Sequence, residues 1–321
     1  MSEVDWLSQL LQIISVTGRL EVRCAYGAPW RVVYEQCAPH EIPYHVVLKG
    51  RAYVEDPEHG SIWELNGGDI VLLPHGSAHV LHDGSGQPPS QPHNRRGSSG
   101  WVLSKIDGSN EPLDMLCGRF LIGRPHDRLI REYMPTNVVV RTTQRKRDKN
   151  GRTASSHLIS LMRLMRTESD SDKPGGCAIL NALTAALFTL TLRAASESDK
   201  APVGFLAVAG NSRLIPAISA MFADPAHAWS LTELASLCNM SRATFTRHCH
   251  DKLGRTAIDL LLDIRMSTAA NELKKPNMTT EIVAESVGYQ SIAAFRRAFT
   301  EKIGLTPGKW RRQAHGDRAS C

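Results

Sequence analysis

A chain of 321 residues is long for a single domain, and 42% hydrophobic with 22% charged residues describes a soluble globular protein, neither disordered nor fibrous. Its apolar runs fall short of the roughly 18 residues that suggest a membrane span, and acids stand at the N-terminus where a secretory leader carries bases; a cytoplasmic protein with no membrane partner is expected. Of the net charge of +6, residues 225–321 hold +5 (14 Lys/Arg against 9 Asp/Glu), the footprint expected of a domain that meets a polyanion. Seven scattered cysteines without a CxxC pair argue against a zinc ribbon and for reduced thiols.

In chain order, residues 4–16 place Trp6, Leu7, Leu10, Leu11 and Ile14 at helical spacing and read as a short amphipathic helix. Residues 20–123 change to short runs rich in Val, Ile, Tyr and Trp, such as WRVVYEQ, YHVVLKGRAYVE, SIWELNGGDIVLLP and AHVLHD, which predict an antiparallel β sandwich or barrel. The polar Gly/Pro/Ser-rich stretch 84–100 predicts a mobile loop between strands. Beyond Gly123 the pattern turns helical. The basic run 141–152 reads as a solvated loop, with a DNA- or lipid-contacting patch as the alternative, and 155–168 and 175–197 read as helices. The second of these is apolar on most faces and is expected to be buried, in its own domain or against a second subunit. Residues 196–202 read as a linker, and a further helix spans 213–222 ahead of Asp224-Pro225.

The C-terminal segment repeats itself. WSLTELASLCNMSRATFTRHCHDKLGRTA and MTTEIVAESVGYQSIAAFRRAFTEKIGLTP set Leu234-Ala235 on Val283-Ala284 at an offset of 49. Ser241, Phe245, Arg247, Gly254 and Thr256 fall on Ser291, Phe295, Arg297, Gly304 and Thr306 at an offset of 50, so one residue is added in the second turn. Each copy holds the parts of a helix-turn-helix. Ser230 or Thr232, and Thr279 or Thr280, can cap a first helix, and Ser241 and Ser291 a second. Asn239 and Gly288 suit a left-handed turn, and Gly254 and Gly304 a helix end. Phe245, Phe295, Leu237 and Val287 are expected in the core, with a polar, basic face opposite. Residues 257–275 read as one long helix joining the copies.

These residues, with Arg265, Ala269-Ala270, Leu273, Ile282, Val287-Gly288-Tyr289, Phe299, Thr306-Pro307 and Arg311, resemble the AraC/XylS family of regulators over about residues 229–312. The chain departs from that pattern at Cys249, where an aromatic is common, and at Ala257, where Pro is common; Cys238 and Cys249 read as core residues. The resemblance implies two recognition helices entering successive major-groove segments about one turn apart. With the helical phase it places Arg242, Ala243, Thr246 and Arg247 on the first DNA-facing surface, and Ile292, Ala293, Arg296 and Arg297 on the second. Arg247 and Arg296 are expected on bases, Arg297 on base or phosphate, and Thr280 on phosphate.

Upstream, GDIVLLPHGSAH has the G-x5-P-x-G-x2-H spacing of the second cupin motif. Residues 30–83 and LDMLCGRF resemble the cupin sensor of one branch of AraC-type regulators. His79 matches the last ligand of metal-holding cupins, but Pro43 falls near the place of the ligand Glu, so the first motif is degraded. His40, His45, His75 and His82 leave a metal site open. Packing or effector binding is the preferred reading, with no catalytic residue, metal or cofactor; the rival is a metal-dependent cupin enzyme fused to a DNA-binding domain. Tyr34, Tyr44, His45, Trp63 and His79 are expected to line an effector site in the barrel. Cys24, read as lying just ahead of the first strand near Arg23 and Arg31, and Cys117 on a late strand are redox candidates. The resemblance sets Cys24 where some relatives sense oxidants. Burial as small hydrophobes is the preferred reading of both cysteines, and a small organic ligand is the preferred stimulus.

The sequence thus predicts an α+β protein with a cupin-like β-barrel or jelly roll in 1–123, a helical connector and dimerisation region in 124–224, and an all-α double helix-turn-helix in 225–321. The function expected is sequence-specific transcription regulation, as an activator, by a homodimer. Its expected partners are promoter DNA, RNA polymerase and a small-molecule effector.

Overall fold

The computed structural model describes residues 5–97, 100–108, 112–142, 154–171, 173–197 and 201–319. Most of the basic run at 141–152 lies outside these residues. The chain packs as two units: Val16–Ile122 with Met134–Pro202, and Met1–Ser15 with Gly123–Tyr133 and Val203–Cys321. This differs from three consecutive stretches, because the first helix and the start of the connector bury their apolar faces in the C-terminal unit. Helix α1 (Trp6–Ile14), capped by the Asp5 carboxylate on the Ser8 amide, buries Trp6, Leu10 and Ile14. The Trp6 ring lies 6.0 Å from Phe205 and 6.3 Å from Phe222.

The first unit holds β1 (Val16–Tyr26), β2 (Arg31–Tyr34), β3 (Glu41–Lys49), β4 (Arg51–Glu55), β5 (Ile62–Asn66), β6 (Ile70–Leu72), β7 (His79–His82), β8 (His93–Arg96), β9 (Val102–Ile106), β10 (Leu113–Ile122) and β11 (Val138–Val140). They form a seven-stranded sheet, β11-β6-β3-β10-β1-β9-β8, and a four-stranded sheet, β2-β7-β4-β5. The two enclose an apolar core that includes Trp30, Val47, Leu65, Val71, Leu81 and Met115. Four features depart from expectation. The first strand begins at Val16; β9 runs parallel to β1; β8 lies within the stretch read as a loop; β11 joins β6 from within the stretch read as helical. Strand β8 is exposed along its length and is held by its ladder to β9, so no alternation of apolar residues announces it. Helices α3 (Ala154–Ser169) and α4 (Gly176–Ser196) pair with each other and pack on the larger sheet. By length and composition α4 is apolar enough to cross a membrane. It is buried along one face, through Leu180, Leu187, Phe188 and Leu192, while Ile179 is 43% exposed.

The second unit holds α1, α2 (Asp127–Tyr133), α5 (Phe205–Ala209), α6 (Ile215–Ala223), α7 (Leu231–Leu237), α8 (Arg242–Leu253), α9 (Ala257–Glu272), α10 (Thr280–Ser286), α11 (Ile292–Ile303) and α12 (Pro307–Ala319). Helix α9 is the expected joining helix, started by a reciprocal cap between Thr256 and Asp259. Arg265 on α9 donates to the carbonyls of Pro225 (2.6 Å) and His227 (2.8 Å), tying the first motif to it, and the Trp310 indole donates to Ala270 O (2.9 Å), tying the second.

Candidate nucleic-acid interface and sensor site

Both helix-turn-helix motifs form, and their local chemistry repeats. Ser230 caps α7 with Glu233 returning the bond, and Thr279 caps α10. Ser241 caps α8 and Ser291 caps α11. The turns adopt positive φ at Asn239 (53°) and Gly288 (82°), and the recognition helices α8 and α11 end on left-handed Gly254 and Gly304. Phe245 and Phe295 are fully buried. Leu237 is not the partner of Val287: it is 42% exposed, and Cys238 is buried in its place. The 49-residue offset of the first helices explains this, since it sets Cys238, not Leu237, on Val287.

Arg242, Ala243, Thr246 and Arg247 are exposed along one side of α8, and Ile292, Ala293, Arg296 and Arg297 along the matching side of α11. The Thr246 hydroxyl donates to Arg242 O (2.9 Å), which leaves its methyl as the group on offer, suited to a thymine methyl. Thr280 is half-buried in the first turn of α10, where amides point outward. Arg296 reaches Glu281 at 3.6 Å, so a carboxylate shares one of the predicted base-reading side chains. His250 and Asp251 continue the same exposed face of α8, and His250 follows Thr246 and Arg247 at helical spacing.

In the barrel, Tyr34, His45 and His79 come together. Tyr34 stacks on His79 at 4.7 Å and meets His45 at 5.0 Å, and the two histidine Nε2 atoms are 2.8 Å apart. His79 Nδ1 donates to Ser77 O (2.8 Å), so with neutral rings its Nε2 accepts from His45 Nε2. Burial, and then the facing His79, push the His45 pKa well below the usual imidazole value; burial also lowers that of His79. His45 Nδ1 is left buried without a partner among the described residues. Trp63 packs against the same core. Tyr44 does not belong to this set. It is one residue from His45 in β3 and faces the other side of the sheet, against Phe120 (4.6 Å) and Thr184 (3.4 Å).

Cys24 lies within β1, not ahead of it, and Cys117 lies on β10. Cys24 is opposite Met115 in the ladder, which puts Cys117 diagonal to it on the same face. Their Sγ atoms are 4.0 Å apart, at 1% and 2% exposure. Burial holds the Cys117 pKa well above the usual thiol value. Arg23 points away from the thiols, pairing with Asp114 (3.0 Å) and with Asp170 at the end of α3. Of the other histidines, His75 donates to Met134 O (3.0 Å) and His82 stacks on Tyr53 (5.5 Å). Among the described residues no three His, Cys, Asp or Glu side chains are grouped as a metal site.

Two family matches cover this arrangement: Cupin over residues 5–197 and Helix-turn-helix domain over residues 234–313. The chain is 28% identical over 308 residues to the RCS-specific HTH-type transcriptional activator RclR of Escherichia coli K12, covering 96% of this chain and 97% of that protein. It is 29% identical over 315 residues to the HTH-type transcriptional regulator MtrA of Neisseria gonorrhoeae, covering 97% and 99%. The similarity to these regulators runs along nearly the full length of each chain, and with its two repeated motifs and its cupin match the chain belongs to the AraC-type transcription regulators that carry an N-terminal cupin domain.

Proposed function

We propose that this regulator activates transcription from operator DNA held by both recognition helices, and that oxidation of the Cys24–Cys117 pair is its signal. The observation that carries the reading is the pair of buried sulfurs 4.0 Å apart in the barrel. Joining them forms one S–S bond, releases two protons and passes two electrons to an oxidant of the hypohalous acid or peroxide class. One sulfur is oxidised first and the other displaces the leaving group from it, closing the disulfide. That the Escherichia coli relative is named an RCS-specific activator supports a chemical stimulus of this kind. The new bond would pull β1 against β10 and bias the regulator toward one of two states.

A small organic ligand is the second reading, favoured by the unpartnered His45 Nδ1, a buried acceptor beside Tyr34 that a hydroxyl or amine could satisfy. Under either reading the chain acts in the cytoplasm as a regulator, not an enzyme, contacts RNA polymerase, and pairs with a second copy through α3 and α4, where Leu164 (49%) and Ile179 stay exposed.

The test combines alkylation mass spectrometry of the purified chain, treated with one equivalent of hypochlorite or peroxide, with reporter induction in Cys24→Ser and Cys117→Ser strains. The expected result is a Cys24–Cys117 disulfide and loss of induction in both variants. Normal induction in both would sink the thiol reading and leave the ligand.

A further inference from the structure

We infer that helix α2, far upstream of the helix-turn-helix match, is a clamp that positions the two recognition helices, with Glu132 at its centre. The inference rests on the DNA-binding reading above and deepens it. Recognition helices α8 and α11 each end on a left-handed glycine, and the last carbonyls of a helix lack partners within it. Arg128 on α2 supplies them for α11: its Nη1 donates to Glu301 O (3.3 Å) and Lys302 O (3.0 Å). A cation is also favoured there by the negative end of the helix. Arg128 Nε donates to Glu132 Oε1 at 2.6 Å. The other oxygen, Glu132 Oε2, lies 3.2 Å from Nη1 of Arg255, the residue that follows the Gly254 end of α8. One carboxylate therefore bridges the ends of both recognition helices.

A second strut runs through α9. The Tyr133 hydroxyl donates to Asp263 Oδ2 (2.7 Å), and Asp263 Oδ1 meets Lys302 Nζ at 2.5 Å, with both charged side chains largely buried. The Arg255 guanidinium also lies over the Tyr133 ring at 5.6 Å. A third tie starts at the N-terminal side of α2, where His126 Nε2 donates to Asn271 Oδ1 (2.9 Å) and Asn271 donates in turn to Ile13 O (2.8 Å). Isolated surface ion pairs contribute little. This set is partly buried and ends on both recognition helices, whose separation has to match a turn of DNA. In chain order α2 follows directly on β10, the strand that bears Cys117.

The test uses the full-length chain and a duplex that the wild type selects from a random-sequence pool. That duplex, and versions with one base pair inserted or removed between the two contact segments, are titrated against wild type, Arg128→Ala, Glu132→Gln and Arg128→Lys. The wild type should lose about tenfold or more when the spacing changes. In Arg128→Ala and Glu132→Gln the selected duplex should bind several-fold more weakly while the altered ones lose little more, so discrimination drops to about threefold or less. Arg128→Lys should retain most of it. Arg128 is half-exposed, so its alanine variant decides the matter even if Glu132→Gln fails to fold. Unchanged discrimination, or an equal loss on every duplex, overturns the clamp alone; a wild type that selects no duplex overturns the DNA reading and the clamp with it.

Discussion

Arg242 and Arg247 on the first recognition helix match Ile292 and Arg297 on the second, so the two exposed faces carry different chemistry. Arg296 has Thr246 as its counterpart and lies 3.6 Å from Glu281, both side chains being exposed. Arg296→Ala should weaken specific operator binding by ~1–3 kcal/mol in a gel-shift titration. Unchanged affinity would move base reading in the second groove to Arg297. At the same scale, one position separates His45 from Tyr44. Both are aromatic, polar and in the same strand, so composition recommends both for an effector site. The period of two in a strand sends one into the barrel and the other to the opposite face.

At the scale of an element, the two turns differ in what they tolerate. Asn239 adopts φ 53° without glycine, whereas Gly288 combines φ 82° with a backbone neighbour: a Cβ there would lie 2.3 Å from Ala226 O. Gly288→Ala should therefore cost more than the ~1 kcal/mol of an ordinary glycine exchange and lower the urea midpoint of the C-terminal unit. A midpoint within error of wild type would show that the turn can re-form. The start of α2 carries a pH signature. Burial lowers the His126 pKa from 6.5 to about 4. Below pH 6.5 the unfolded chain binds this proton while the folded chain does not, so stability is full above that pH and declines as pH falls toward 4. The loss should approach roughly 3 kcal/mol. Urea midpoints at pH 7.5 and 5 should separate further for wild type than for His126→Gln; equal separations would remove His126 from the account.

For the whole molecule, two recognition helices and their capped N-termini should neutralise several phosphates at once. With about four to eight such contacts the log–log salt slope of DNA binding should be about −4 to −7. A flat response would contradict binding through both motifs. The same scale shows where sequence reading stopped. By texture the chain divides into a β stretch, a helical connector and a double helix-turn-helix. The chain instead packs α1 and α2 with the C-terminal helices and leaves α3 and α4 on the sheet. Texture reports which residues are apolar, while the assignment of a helix to a unit depends on which surface its apolar stripe meets. Helix α1 was legible as a helix from Trp6, Leu10 and Ile14; that these meet Phe205 and Phe222 was not.

By itself the sequence determined the double helix-turn-helix: the caps at Ser241 and Ser291, the turns at Asn239 and Gly288, and an arginine-bearing face opposite Phe245 and Phe295. These are local features, set by side chains bonding to backbone within three or four residues and by helical phase. Only the tertiary structure decided that Cys24 meets Cys117, that His45 meets His79 while Tyr44 turns away, and that Glu132 stands between Arg128 and Arg255. Those partners are far apart in the chain, and their meeting depends on strand register and helix docking, which the long-range burial of apolar faces settles.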